Sequence, residues 1–137
     1  MRKLTTAIAC CAAVVGLLTA PALSAKPRLT GEEKLAKLLE GRAAGEPQSC
    51  IFAPNTSQLT VIDRTALVYK SGNTIYVNRP ANPKSLDSGD VLVIDRMSHQ
   101  LCNTDMVNTR SQGSISFYTG SVFLGQFVPY KKVANEG

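Results

Sequence analysis

Tryptophan is absent from this 137-residue chain, histidine occurs once, and aromatic residues make up only 6% of it. A carbohydrate-stacking platform draws on several aromatic faces, so none is expected. The single histidine, His99, also restricts the chemistry available. Nucleophilic hydrolysis needs a nucleophile beside a base that a third group orients. Asp95, Ser98 and Asp105 are close to His99 in sequence, but triad partners are seldom sequence neighbours, and no Gly-x-Ser-x-Gly elbow occurs. The sequence also lacks a Gly-x-Gly-x-x-Gly or P-loop phosphate cradle and a Cys-x-x-Cys pair. Paired carboxylates could act as acid and base. However, Asp63, Asp87, Asp90, Asp95 and Asp105 fall at expected strand ends and turns, where aspartate serves backbone hydrogen bonding. Asp87-Ser88-Gly89-Asp90 lacks the ligand ladder of a calcium loop. The motifs therefore assign no catalytic residue, no metal site and no cofactor.

Charge of one sign is also scarce in any one place. The formal net charge is +5, with no like-charged run beyond Lys131-Lys132 in the body of the chain. Nucleic-acid binding usually rests on a basic stripe or patch, so no nucleic-acid partner is expected. Part of the positive balance belongs to Arg2 and Lys3, which open a segment of a different kind. Leu4 to Ala20 is an apolar run without a charge, followed by Ala20-Pro21-Ala22-Leu23-Ser24-Ala25. A short basic start, an apolar stretch and small-x-small residues together predict a cleaved signal peptide over 1–25. No transmembrane anchor is expected after its removal. Cys10 and Cys11 lie in the middle of the apolar run, not at its end where a lipidated cysteine would stand, and are read as filler in a segment that is removed.

Export leaves two cysteines, Cys50 and Cys102, in a compartment that permits disulfides. One intramolecular pairing is possible, and closing a loop of that length stabilises by about 4 kcal/mol in the chain-entropy model. A metal pair and a redox-active thiol are the alternatives. One histidine elsewhere in the chain falls short of a zinc set.

Thr30-Gly31-Glu32-Glu33 is a capping box. Leu35, Leu38 and Leu39 then recur at helical spacing, with Gly41 at the stop position. A three-turn amphipathic helix is predicted, its leucine stripe either packed on the domain or offered to a partner. Arg42 to Ser49 reads as a linker, so residues 26–44 are taken as helix and linker. Residues 45–132 are taken as a disulfide-stapled β domain, and 133–137 as a tail. Within that domain, Leu59–Val61 and Ala66–Tyr69 read as strands joined through Asp63-Arg64. Ser71-Gly72-Asn73 is a hairpin turn leading to Thr74–Asn78. The unbroken run Val91-Leu92-Val93-Ile94 predicts a central strand covered on both faces. Ile115–Phe117 and Val122–Leu124 read as further strands, separated by a turn at Thr119-Gly120-Ser121. Turn signals every ten or so residues predict a mainly β fold, a small antiparallel sandwich or barrel of about six to eight short strands.

Tyr76, Asn78 and Arg79 place an aromatic, an amide and a guanidinium along one hairpin edge. That set suits a small anion or a peptide carboxylate; it also suits the plain end of a strand.

The pieces Gly45-Glu46-Pro47 with Cys50-Ile51, Ile62-Asp63-Arg64-Thr65-Ala66, Tyr76-Val77-Asn78-Arg79, Leu101-Cys102 with Asp105, and Leu124-Gly125 with Phe127-Val128-Pro129-Tyr130 together resemble a family of small exported proteobacterial proteins, a domain of unknown function. The likeness spans roughly residues 45–130. Members carry one or two cysteine pairs, and a second pair is missing here. The resemblance implies export and a Cys50–Cys102 pairing, and it implies no substrate.

Three functions follow in order of expectation. The first is a periplasmic or secreted, non-catalytic protein that binds an envelope protein or envelope component through a sheet edge or the Leu35/Leu38/Leu39 stripe. The second is a small-ligand binder using Tyr76, Asn78 and Arg79. The third, well behind, is a hydrolase using His99 or an aspartate pair.

Overall fold

In the computed structural model the described residues are 26–113 and 115–134. The expected signal peptide, 1–25, lies outside them, as do the last three residues of the expected tail. The fold is mainly β, with antiparallel strands in three sheets and one short helix.

The helix α1 (Gly31–Leu38) opens on the expected capping box. The Glu33 N–H donates to Thr30 Oγ1, and Glu33 Oε2 accepts from the Thr30 N–H at 2.7 Å. It is shorter than three turns. Leu39 already has cap geometry, and the Arg42 N–H donates to the Leu39 carbonyl. The chain turns at Gly41, whose φ of +70° suits a residue without a Cβ, and enters β1 (Arg42–Ala44). The first three residues of the stretch read as a linker, Arg42 to Ser49, are therefore a strand. The pull is its pairing with β10 (Phe127–Lys132), in the register Arg42↔Lys132 to Ala44↔Tyr130.

The largest sheet has the order β1-β10-β5-β4-β3, with β3 Leu59–Ile62, β4 Ala66–Ser71 and β5 Thr74–Asn78. The β4–β5 hairpin turns at Gly72-Asn73, with Gly72 at φ +54°. The β3–β4 turn runs through Arg64, a non-glycine residue at φ +54°. Its N–H donates to the Leu86 carbonyl at 3.0 Å, which ties the turn to a distant loop. A two-stranded sheet pairs β2 (Cys50–Phe52) with β7 (Gln100–Cys102). A three-stranded sheet has the order β6-β8-β9, with β6 Asp90–Ile94, β8 Met106–Ser111 and β9 Tyr118–Phe123. The described residues thus hold ten strands, more than the six to eight expected. Many of them are short.

Alternation sorts the side chains of the large sheet into two cores. On one face, Ile62, Ala66, Val68, Ile75 and Val77 pack with Leu35 of the helix, and Leu39 joins at the margin. On the other face, Leu67, Tyr69 and Phe127 pack with Ile51 and Leu101 of the two-stranded sheet and with Val107 and Val122 of the three-stranded sheet. The large sheet is therefore covered on both sides. Its strand β4 is buried from Ala66 through Tyr69.

Three expectations fail in the three-stranded sheet. The Val91–Ile94 run is an edge strand and none of it is fully buried, because β6 pairs only with β8. Thr119-Gly120-Ser121 is not a turn but the middle of β9. Ile115–Phe117, expected as a strand, are instead the irregular segment before β9, and a register shift at Thr109/Arg110 absorbs the irregularity.

Candidate functional site

Cys50 and Cys102 form the disulfide. They are direct cross-strand partners of β2 and β7, with Cα atoms 4.0 Å apart and 52 residues of separation. The side chain of Asp105 supports this corner. It accepts from the Cys102 N–H at 2.7 Å, while its own N–H donates to the Cys102 carbonyl. The Leu-Cys-x-x-Asp spacing is thus a closed turn.

Tyr76, Asn78 and Arg79 fall within four residues of sequence but are not brought together as a cluster. Asn78 is fully buried, and its amide clasps Gly125 twice. Nδ2 donates to the Gly125 carbonyl at 2.6 Å, and Oδ1 accepts from the Gly125 N–H at 3.0 Å. A Cβ at Gly125 would run into the Arg79 carbonyl, so only glycine fits this clasp. Arg79 reaches the opposite way, to the helix, with bidentate bonds of 2.7 and 2.8 Å to Glu32. Glu32 holds the Arg79 guanidinium above its ordinary pKa, and the Arg79 hydrogen bond holds the Glu32 carboxyl below its own. Tyr76 packs partly against the core between the sheets and borders a shallow recess with Ala43, Ala44, Gly45 and Pro129.

The leucine stripe divides as well. Leu35 is buried and Leu39 is packed beside it, which leaves Leu38, 38% exposed, as the one open apolar group of the three. Lys34 pairs with Asp63 at 3.7 Å, so two ion pairs hold α1 against the turns of the sheet. Gly31 is pressed onto Thr65 and the Asp63 carbonyl, where a Cβ would clash.

His99 stands edge-on to Phe52, ring centroids 6.4 Å apart, and its carbonyl accepts from the Ala53 N–H. Ser98 Oγ is taken by the Gln100 N–H. Among the aspartates, Asp63 accepts from the Ser88 N–H at 2.6 Å, a bond that lowers its pKa and keeps it ionised. A general acid needs the opposite shift. The described residues contain no group of three His, Cys, Asp or Glu side chains placed to hold a metal ion.

The surface that sequence reasoning missed is the outer face of the three-stranded sheet. Val107 of β8 and Val122 of β9 point into the core with no exposed area, so their neighbours Met106 and Phe123 point outward. These two are register partners, 53% and 56% exposed, and Val91 on β6 is 45% exposed. Tyr118 extends the face and bonds through its hydroxyl to Ser121 Oγ at 2.7 Å. Asn108 and Arg110 supply its polar positions. No helix or strand among the described residues covers it. The signal was present in the alternation of β8, but its use depended on knowing which face met the core.

Among the described residues, no helix is long and apolar enough to cross a membrane. No family model, no curated protein and no solved structure matches the chain.

Proposed function

We propose that this chain is an exported, non-catalytic binding module of the cell envelope, periplasmic or secreted, whose partner is a protein seated on the outer face of the three-stranded sheet. The single observation behind this reading is the uncovered pair Met106 and Phe123 at one end of the face, with Val91 exposed at its other end opposite Arg110. An exposed Met–Phe pair on a rigid sheet is a suitable anchor, because large apolar side chains at the centre of an interface carry most of its free energy. The polar groups Asn108, Ser121 and Arg110 would orient the partner. The helix stripe, the other surface considered, now offers only Leu38. The export half of the proposal rests on the basic-apolar-small order of residues 1–25 and agrees with a disulfide, which persists in oxidising compartments.

The test uses the oxidised protein as bait against an envelope extract at low and high salt. A protein retained at high salt by the wild type, and lost by Met106→Asp/Phe123→Asp with its melting temperature unchanged, supports the reading. Equal retention by the double variant overturns it. Retention of anionic lipid or polysaccharide at low salt alone marks weak charge attraction instead.

A further inference from the structure

Sheet edges are templates for further strands, and proteins usually shield them with short length, lysine, proline, a bulge or a covering segment. In this molecule the shielding is uneven. Edge strand β1 has three residues and carries Arg42. Edge strand β3 has four residues and lies against the helix. Edge strand β9 is covered by the segment after β5: the Ala81 N–H donates to the Phe123 carbonyl and Asn82 Nδ2 reaches the Ser121 carbonyl. Edge strand β6 has none of these devices. It is five residues long, four of them aliphatic in a row, with no lysine, proline or bulge. Among the described residues, and beyond its pairing with β8, its backbone makes one bond, from the Asp90 N–H to the Asp87 carbonyl of the preceding turn. Its inner side chains Leu92 and Ile94 stay partly exposed along an open groove of about 440 Å³, shared with Leu59 and Val61.

We infer that the β6 edge pairs with β6 of a second copy of this chain, antiparallel and two-fold, to join two three-stranded sheets into one six-stranded sheet. The occupant follows from charge and face. Centring the pairing on Val93 sets Leu92 against the partner's Ile94, and Val93 against its own copy. Extending the pairing two residues past the end of β6 then brings Asp90 opposite the partner's Arg96, twice by symmetry. Every pair in this register keeps inner side chains with inner ones and outer with outer. Centring on Leu92 instead sets the Asp90 carboxylate against an isoleucine. Centring between Leu92 and Val93 opposes Asp90 to Asp95 and turns the groove side of one copy to the outer side of the other. Both charges are available. Among the described residues Arg96 meets only the Gln100 and Pro54 carbonyls, each at 3.4 Å, and no carboxylate. Among the same residues the Asp90 carboxylate accepts only from the Thr119 hydroxyl. The β6 edge is separate from the proposed partner pair, and its pairing leaves Met106 and Phe123 uncovered.

The test is analytical ultracentrifugation of the oxidised protein with charge-swapped variants. The wild type is expected to sediment as a dimer at roughly 100 µM. Val93→Lys, which sets two ammonium groups against each other, is expected to give a monomer. Arg96→Asp, which leaves the Asp90–Thr119 bond in place, is expected to raise the dissociation constant roughly tenfold or more, and Asp90→Arg/Arg96→Asp together to bring the dimer back. Circular dichroism checks that each variant keeps its fold. A monomeric wild type overturns the inference. So does association that Val93→Lys leaves unchanged, which would place the contact in another surface or in the apolar run 4–20. A double variant that is folded yet no better than Arg96→Asp overturns the register.

Discussion

Two strands of this protein carry nearly the same apolar run and meet opposite fates. Ala66-Leu67-Val68-Tyr69 in β4 is buried along its whole length, with no residue above 3% exposure, whereas Val91-Leu92-Val93-Ile94 in β6 is an edge with one face open. Hydrophobicity does not separate them. Their neighbours do. Strand β4 has β3 and β5 on its flanks, the helix over Ala66 and Val68, and the second layer over Leu67 and Tyr69. Strand β6 has β8 on one flank, and only its Leu92 and Ile94 side meets the core. An unbroken apolar run therefore shows that a strand is free of charge, not how many of its faces are covered.

The largest break in this comparison would come from the staple that holds the second layer together. Cys50→Ser/Cys102→Ser is expected to cost about 4 kcal/mol, since the loop it closes is long. Urea denaturation of oxidised and variant protein measures it. If the loss stays under about 1 kcal/mol, the second layer does not depend on the staple. Next comes the pair of strands itself. Leu67→Ala should cost about 3 kcal/mol, with a cavity left between the layers. Val91→Ala on the open face should change stability by less than about 0.5 kcal/mol. Equal costs at the two positions would mean that the outer face of β6 is covered in solution.

A smaller effect sharpens the contrast at the junction of the layers. Asn78→Ala leaves the Gly125 N–H and carbonyl without their buried partner, and about 2 kcal/mol should be lost. Tm comparison with Asn78→Asp tests the clasp, because aspartate keeps the acceptor and loses the donor. A further small effect concerns the helix that covers one face of β4. Arg79→Ala removes an exposed ion pair and should cost less than about 1 kcal/mol.

Acid should act on the same covering. Glu32, Glu33 and Asp63 all have pKa values lowered in the folded protein. The causes are the Arg79 bond, the Thr30 amide and hydroxyl, and the Ser88 amide respectively. A lowered folded value means that the unfolded state binds protons first. The stabilisation is therefore complete above the ordinary carboxylate range of about 4 and is lost as pH falls through the lowered values. Hydrogen exchange at the helix amides, followed from neutral pH downward, should rise there before it rises in β4. Simultaneous loss of protection in both would show that the helix and sheet open as one unit.

The elements differed in how readily the sequence could be read, and the reason is the range of the interaction involved. The capping box at Thr30 and Glu33, the turn at Gly72-Asn73 and the alternation of Ile75 with Val77 are all set by neighbours within a few residues. They were visible in the chain. Arg42–Ala44 was not, because a short, mostly exposed strand carries no apolar pattern and exists through pairing with β10 at the far end of the sequence. Gly120 read as a turn for a similar reason. Its place in β9 depends on Thr109, whose hydroxyl donates to the Gly120 carbonyl at 3.0 Å. The proposed binding face escaped notice because Met106 and Phe123 alternate with Val107 and Val122, and either pair could have faced the core.

By itself, then, the sequence determined a mainly β chain with one capped helix, strand-forming segments, and two cysteines left after the apolar N-terminal run. Each of these follows from local spacing and residue type, which need no distant partner. Only the tertiary structure decided that Asn78 closes on Gly125, that Arg79 grips the helix, that β4 is central and β6 an edge, and which apolar pair remains in water. Those outcomes depend on contacts between residues far apart in the chain, and a backbone with period-two alternation is equally ready to bury either of its faces.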